Sequence, residues 1–105
     1  MTKGRHFASI KSMTKQFNWN PDKNRRLIQE RRICFEDVVF AVQQGKLLDD
    51  LIHPNNQKYP EQRIMVIELD GYAYLVPYVE NEEEFFLKTI IPSRKARKRY
   101  LGERS

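Results

Sequence analysis

Residues 63–79 read Arg-Ile-Met-Val-Ile-Glu-Leu-Asp-Gly-Tyr-Ala-Tyr-Leu-Val-Pro-Tyr-Val, two β-prone runs flanking an Asp70-Gly71 dipeptide. Asp-Gly tolerates positive φ at both positions, as a two-residue hairpin turn requires, so strands at 63–69 and 72–79 are predicted to pair antiparallel. Pro77 lacks an N–H, which predicts a bulge or an edge at that point of the second strand. Downstream, Glu80, Glu82, Glu83 and Glu84 form an acidic turn before a further apolar run at 85–91. Pro92-Ser93 then opens a helix from Arg94 to about Leu101, with Gly102 as its stop.

Upstream, residues 46–52 read as a strand and 53–61 as a loop, beginning His53-Pro54-Asn55-Asn56. Before that the apolar period changes to that of helices. Phe35, Val38, Val39 and Val42 share one helical face over 35–44, and Gly45 is the natural stop. Asn20-Pro21 marks another helix start, because Asn caps orphan amides and Pro is pre-set for the first turn. That helix runs to about Arg32 and is expected to bury Leu27 and Ile28. Phe17-Asn18-Trp19 precedes it as a short strand. The order is β-α-α-β-β-β-β-α. An α+β fold follows, with two N-terminal helices, an antiparallel β-meander and a C-terminal helix, the helices packed on one face. Residues 1–16, basic and without acid, read as a flexible arm; 17–105 read as one domain.

The 105 residues allow a single modest core, and a 40% hydrophobic content is enough to fill it. No apolar run approaches the ~20 residues of a membrane span, and the first twenty residues lack the apolar core of a signal peptide, so a cytoplasmic location is expected. Cys34 is the only cysteine, which excludes an intrachain disulfide. It sits between Ile33 and Phe35 and is expected to be buried and inert. His6 and His53 have no metal-ligand spacing, so neither metal nor other cofactor is expected.

The net charge is +5, and its distribution points to a polyanion. Arg94, Lys95, Arg97, Lys98, Arg99 and Arg104 face only Glu103 in the last twelve positions. No glycine-rich phosphate loop and no Ser-His-Asp set are present. Bases, tyrosines and a carboxylate remain, which suits metal-independent RNA cleavage by the 2′-OH. That chemistry needs charge stabilisation at phosphorus, which arginine provides, together with a proton acceptor and a proton donor. Glu80 is a candidate acceptor, and Arg63 a candidate phosphate ligand or a surface ion-pair partner. His53 is a candidate acid or a solvated loop residue, with Lys58 and Tyr59 in the same loop. Tyr72, Tyr74 and Tyr78 alternate along one strand, either as a stacking row for bases or as a half-buried face beneath the helices.

Phe17-x-Trp19-Asn20-x-x-Lys23 and Ile33-x-Phe35-Glu36-Asp37 resemble the F-x-W-D-x-x-K and V/I-S-F-E-E elements of BrnT-type toxins. Arg63 and Glu80 fall where that family has D-R-F and T-E-R. Ile90-Ile91-Pro92-Ser93-Arg94-Lys95-Ala96 is similar to its R-I-I-S-A-R-K-A signature. The chain departs from the pattern in several places. Leu27-Ile28-Gln29-Glu30-Arg31-Arg32 replaces N-x-x-K-H-G, Cys34 replaces a capping serine, and Asn81 and Thr89 replace arginines.

The resemblance implies a RelE-like fold and a toxin of a type II toxin–antitoxin system, an endoribonuclease that cleaves mRNA and inhibits translation. It implies a DNA-binding antitoxin partner, of ribbon-helix-helix type, with operator DNA met only through that complex. Carried over by position, Arg63, Glu80 and Arg94 are the expected catalytic residues. Lys58, Tyr78, Lys95, Lys98 and Arg99 are expected to bind RNA. The changes at Asn81 and Thr89 support a second expectation, a non-catalytic RNA-binding or antitoxin-binding module. No helix-turn-helix spacing favours direct DNA binding.

Overall fold

The computed structural model describes residues 15–102. Six strands and three helices follow in the order β1 (Gln16–Trp19), α1 (Pro21–Arg31), α2 (Phe35–Gln43), β2 (Leu47–Ile52), β3 (Gln62–Leu69), β4 (Tyr72–Glu80), β5 (Glu84–Leu87), β6 (Ile91–Pro92) and α3. Helix α3 opens as an α-turn over Arg94–Ala96 and widens to π over Arg97–Leu101. The protein is thus α+β. Of the expected basic arm at 1–16, residues 1–14 lie outside the described residues; Gln16 belongs to β1.

Asp70 and Gly71 both take positive φ, 53° and 78°, and Leu69 pairs with Tyr72 across them. That is the two-residue turn the dipeptide predicts. Strands β2 to β5 form the antiparallel meander, but the sheet as a whole is mixed. Its order is β1-β5-β4-β3-β2, and β1 lies parallel to β5 at the edge, with Phe17 opposite Phe85. The predicted strand at 85–91 is interrupted. β5 pairs with β4 at Tyr78–Glu80, whereas β6 pairs with it at Tyr74 and Leu75. Pro77 falls in that interruption. Its carbonyl accepts the Lys88 N–H (2.8 Å), and its missing donor would have pointed to the same broken side.

Local chemistry accounts for the helix ends. The Asn20 side chain accepts the Asp22 and Lys23 N–H groups at 2.8 and 3.2 Å, and Pro21 occupies the first turn. Asp37 reaches back to the Cys34 N–H (3.1 Å), so the second helix is held by its first-turn acid. It ends in a Schellman motif, in which Gly45 (φ 78°) donates to Val42 and Lys46 donates to Ala41. Helix α1 ends without a glycine. Arg32 itself takes the left-handed conformation, at φ 57°.

The helices pack on both faces of the sheet, not on one as the sequence led us to expect. Leu27, Phe35, Val38 and Val42 from α1 and α2 meet Met65, Ile67, Val76, Tyr78, Phe85 and Leu87 on the first face. Ala96 and Tyr100 of α3 meet Val66, Ala73, Leu51 and Leu75 on the second. Strand alternation makes this unavoidable, because Ala73 and Leu75 point away from Tyr74 and Val76. Ile28, expected inside, is 48% exposed, while Leu27 is buried. Buried Asn24 ties the two N-terminal helices, accepting the Phe35 N–H (2.8 Å) and donating to Glu36 (2.9 Å). No helix among the described residues is long and apolar enough to cross a membrane.

Candidate functional site

At one end of the sheet, strands β2, β3 and β4 bring ionisable side chains together, joined by Lys15 just ahead of β1. Arg63 near the start of β3 stands opposite Tyr78 of β4 and Ile52 of β2. Glu80 ends β4 two residues later, on the same face as Tyr78. Arg63 and Glu80 line one surface cleft of about 390 Å³, with Ile52, Asn56, Glu61 and Gln62.

Each of the two is held by a neighbour that the sequence reading passed over. Asp50, whose side chain is fully buried, faces the Arg63 guanidinium through Nε (3.3 Å to Oδ2) and Nη2 (3.3 Å to Oδ2). The Tyr78 hydroxyl donates to the other oxygen of Asp50 at 2.7 Å. Glu80 is paired with Lys15, whose ammonium also stands 5.4 Å from the centre of the Phe85 ring. A preorganised arginine and an oriented carboxylate therefore share one open cleft. Arginine has five donors, and those on Nη1 are not committed to Asp50.

Tyr78 was expected to bind RNA, and the structure corrects this. Its side chain is fully buried, edge-on to Phe85 at 5.9 Å, so no base can reach it. Burial drives its hydroxyl pKa well above the usual tyrosine value, with the nearby Arg63 charge opposing in part. Of the tyrosine row, Tyr74 packs against the main core and Tyr72 lies edge-on to Tyr74 at 5.7 Å. The half-buried alternative was the right one.

Arg94 is a second correction. It is exposed on α3, on the opposite face from Arg63 and Glu80. Ser93 before it bonds Ala73, five residues along β4 from Tyr78, an offset of about 16 Å at strand spacing. Of the three residues expected to be catalytic, Arg63 and Glu80 share the cleft and Arg94 does not line it. Lys95 and Arg99 line a separate groove on the α3 face, and Lys98 is exposed on the same helix. Lys58 sits in the 53–61 loop over the Tyr59 ring, which lies tilted against His53 at 4.8 Å. His53 Nδ1 accepts the Asn55 N–H (3.0 Å), so a neutral imidazole carries its proton on Nε2. Asn81, where the toxin pattern has arginine, works as a turn former. Its side-chain oxygen accepts the Glu83 and Glu84 N–H groups at 2.8 and 2.9 Å. Cys34 is half-buried, and burial pushes its thiol up to about 11, which keeps it protonated at neutral pH.

One signal for the missed residues was present in the sequence. Asp49-Asp50 interrupts the apolar run Leu47, Leu48, Leu51, Ile52, and aspartate is disfavoured in strands. Consecutive strand residues point to opposite faces, so Asp50 serves the Arg63 side while Asp49 accepts the Tyr100 hydroxyl of α3 at 2.5 Å. No protein-family model, curated protein or solved structure matches this chain.

Proposed function

We propose that this protein is a BrnT-type ribonuclease toxin, of RelE-like fold, that cleaves RNA in the cleft shared by Arg63 and Glu80. The observation that carries the proposal is that pairing: an arginine braced by a buried aspartate and a carboxylate oriented by a lysine, open to solvent on one face. Arg32 lends further support. It stands where the toxin pattern has glycine, and it adopts the left-handed backbone that glycine favours.

Glu80 takes the proton of the ribose 2′-OH as that oxygen attacks the adjacent phosphorus. Arg63 stabilises the added charge on the phosphoryl oxygens. The P–O5′ bond breaks, and the leaving 5′-oxygen takes a proton from water on the open side of the cleft. The products are a 2′,3′-cyclic phosphate and a 5′-hydroxyl. An antitoxin that blocks this face, of ribbon-helix-helix type, is the proposed partner. The proposed location is cytoplasmic.

Incubation of the purified protein with mRNA in EDTA tests this. Cleavage to cyclic-phosphate ends, abolished by Arg63→Ala or Glu80→Gln with unchanged circular dichroism, is the expected result. Intact RNA and no growth arrest on expression would overturn it. The second reading is a non-catalytic RNA-binding or antitoxin-binding member. It is favoured by the placement of Arg94 on the opposite face and by the Lys15 pairing that occupies Glu80. It predicts salt-sensitive RNA retention without products.

A further inference from the structure

The groove on the α3 face differs from the cleavage cleft in charge. Pro54, Ile64 and Leu75 contribute to its apolar wall, Lys95 and Arg99 to its rim, and no Asp or Glu is among its lining residues. The cleft, by contrast, balances Arg63 against Glu61 and Glu80. Ile52, 61% exposed, belongs to the walls of both. Groove and cleft therefore meet around the end of β2, an edge strand of the sheet.

Resting on the ribonuclease reading above, we propose that this groove is a second RNA subsite. It holds an unpaired nucleotide of the same strand whose scissile phosphate lies between Arg63 and Glu80, the strand turning over Ile52. The groove is about 380 Å³, with an apolar floor for a base. Its two cations can take the adjoining phosphates, and no carboxylate lines the groove among the described residues. The Arg99 guanidinium lies 5.7 Å from the centre of the Tyr100 ring, which keeps this planar, stackable group at the rim. A duplex does not fit this role, because its bases are not splayed. The path also gives the cationic helix a place in RNA recognition despite lying on the other face from the cleft.

Fluorescence anisotropy on the full chain tests the subsite, with a labelled single-stranded RNA of about twelve nucleotides titrated across a range of NaCl. Lys95→Ala/Arg99→Ala is expected to reduce the slope of log K against log salt by about 1.4, two contacts at about 0.7 each. Ile52→Glu, which puts a negative charge at the junction, is expected to weaken single-strand binding about tenfold. All three positions are exposed, so the variants are expected to keep the wild-type circular dichroism. An unchanged slope in the double variant, or an equal loss on duplex RNA, overturns the subsite. So does loss of binding to a polyglutamate peptide with RNA binding intact, which assigns the groove to a protein partner. Products in EDTA report separately on cleavage. Products with an unchanged slope sink the groove alone; a groove-dependent slope without products sinks cleavage and leaves the groove as an RNA site.

Discussion

Replacing Asp50 by alanine removes the acceptor of the Tyr78 hydroxyl and the countercharge of Arg63 in one step. The Tyr78 bond is buried, and a hydrogen bond to a charged acceptor contributes about 1.5–3 kcal/mol. The Arg63 side chain is 27% exposed, so its share is smaller, about 0.5–1 kcal/mol. The expected total is about 3 kcal/mol, or a fall in Tm of about 15 °C for a domain of this size. Tyr78→Phe deletes only the hydroxyl and should cost about 1.5 kcal/mol. Because both changes break the same bond, the double variant should cost less than their sum by about 1–2 kcal/mol. Asp50→Asn keeps an acceptor for Tyr78 but loses the charge that braces Arg63. It should lose RNA cleavage before it loses the fold. Urea and thermal unfolding followed by circular dichroism measure all four variants. An Asp50→Ala protein within ~1 kcal/mol of wild type, or strict additivity in the double variant, refutes the bracing role.

Arg32→Gly should stabilise the protein by about 0.5–1 kcal/mol, since φ 57° strains any residue with a Cβ; a lower Tm contradicts this. Stability should fall as the pH rises above about 10, where unfolded tyrosines ionise while Tyr78, Tyr74 and Tyr100 hold their protons. The unfolded chain then binds fewer protons than the folded one, so the slope is negative, and Tyr78→Phe should flatten it; urea titrations at pH 8 and 11, as round values about the tyrosine pKa of ~10, check this. Arg94→Ala should weaken RNA binding while cleavage at saturating RNA persists, because Arg94 lies on the opposite face from Arg63 and Glu80. A loss of turnover matching that of Arg63→Ala would show that Arg94 reaches the cleft.

What the residues determined without tertiary context were the features set by neighbours in the chain. The Asp70-Gly71 turn, the Asn20-Pro21 start and the Gly45 stop each depend on φ preferences and hydrogen bonds within a few residues, and each stands where predicted. Arg63 and Glu80 were named from the resemblance, and the register across that turn, which sets Arg63 opposite Tyr78, is what brings them to one cleft. Tertiary structure alone decided the faces. Ile28 and Leu27 are adjacent and equally apolar, and only packing against the sheet buries one of them. The same holds for α3. Its cations are plain in the sequence, but the side of the sheet it covers is set by Ala96 and Tyr100 meeting Val66, Ala73 and Asp49. Asp50 takes its role from Tyr78, 28 positions away, and Lys15 takes its role from Glu80, 65 positions away. Contacts at that separation carry no local signature, since each residue's own preferences are satisfied equally well with a different partner across the sheet.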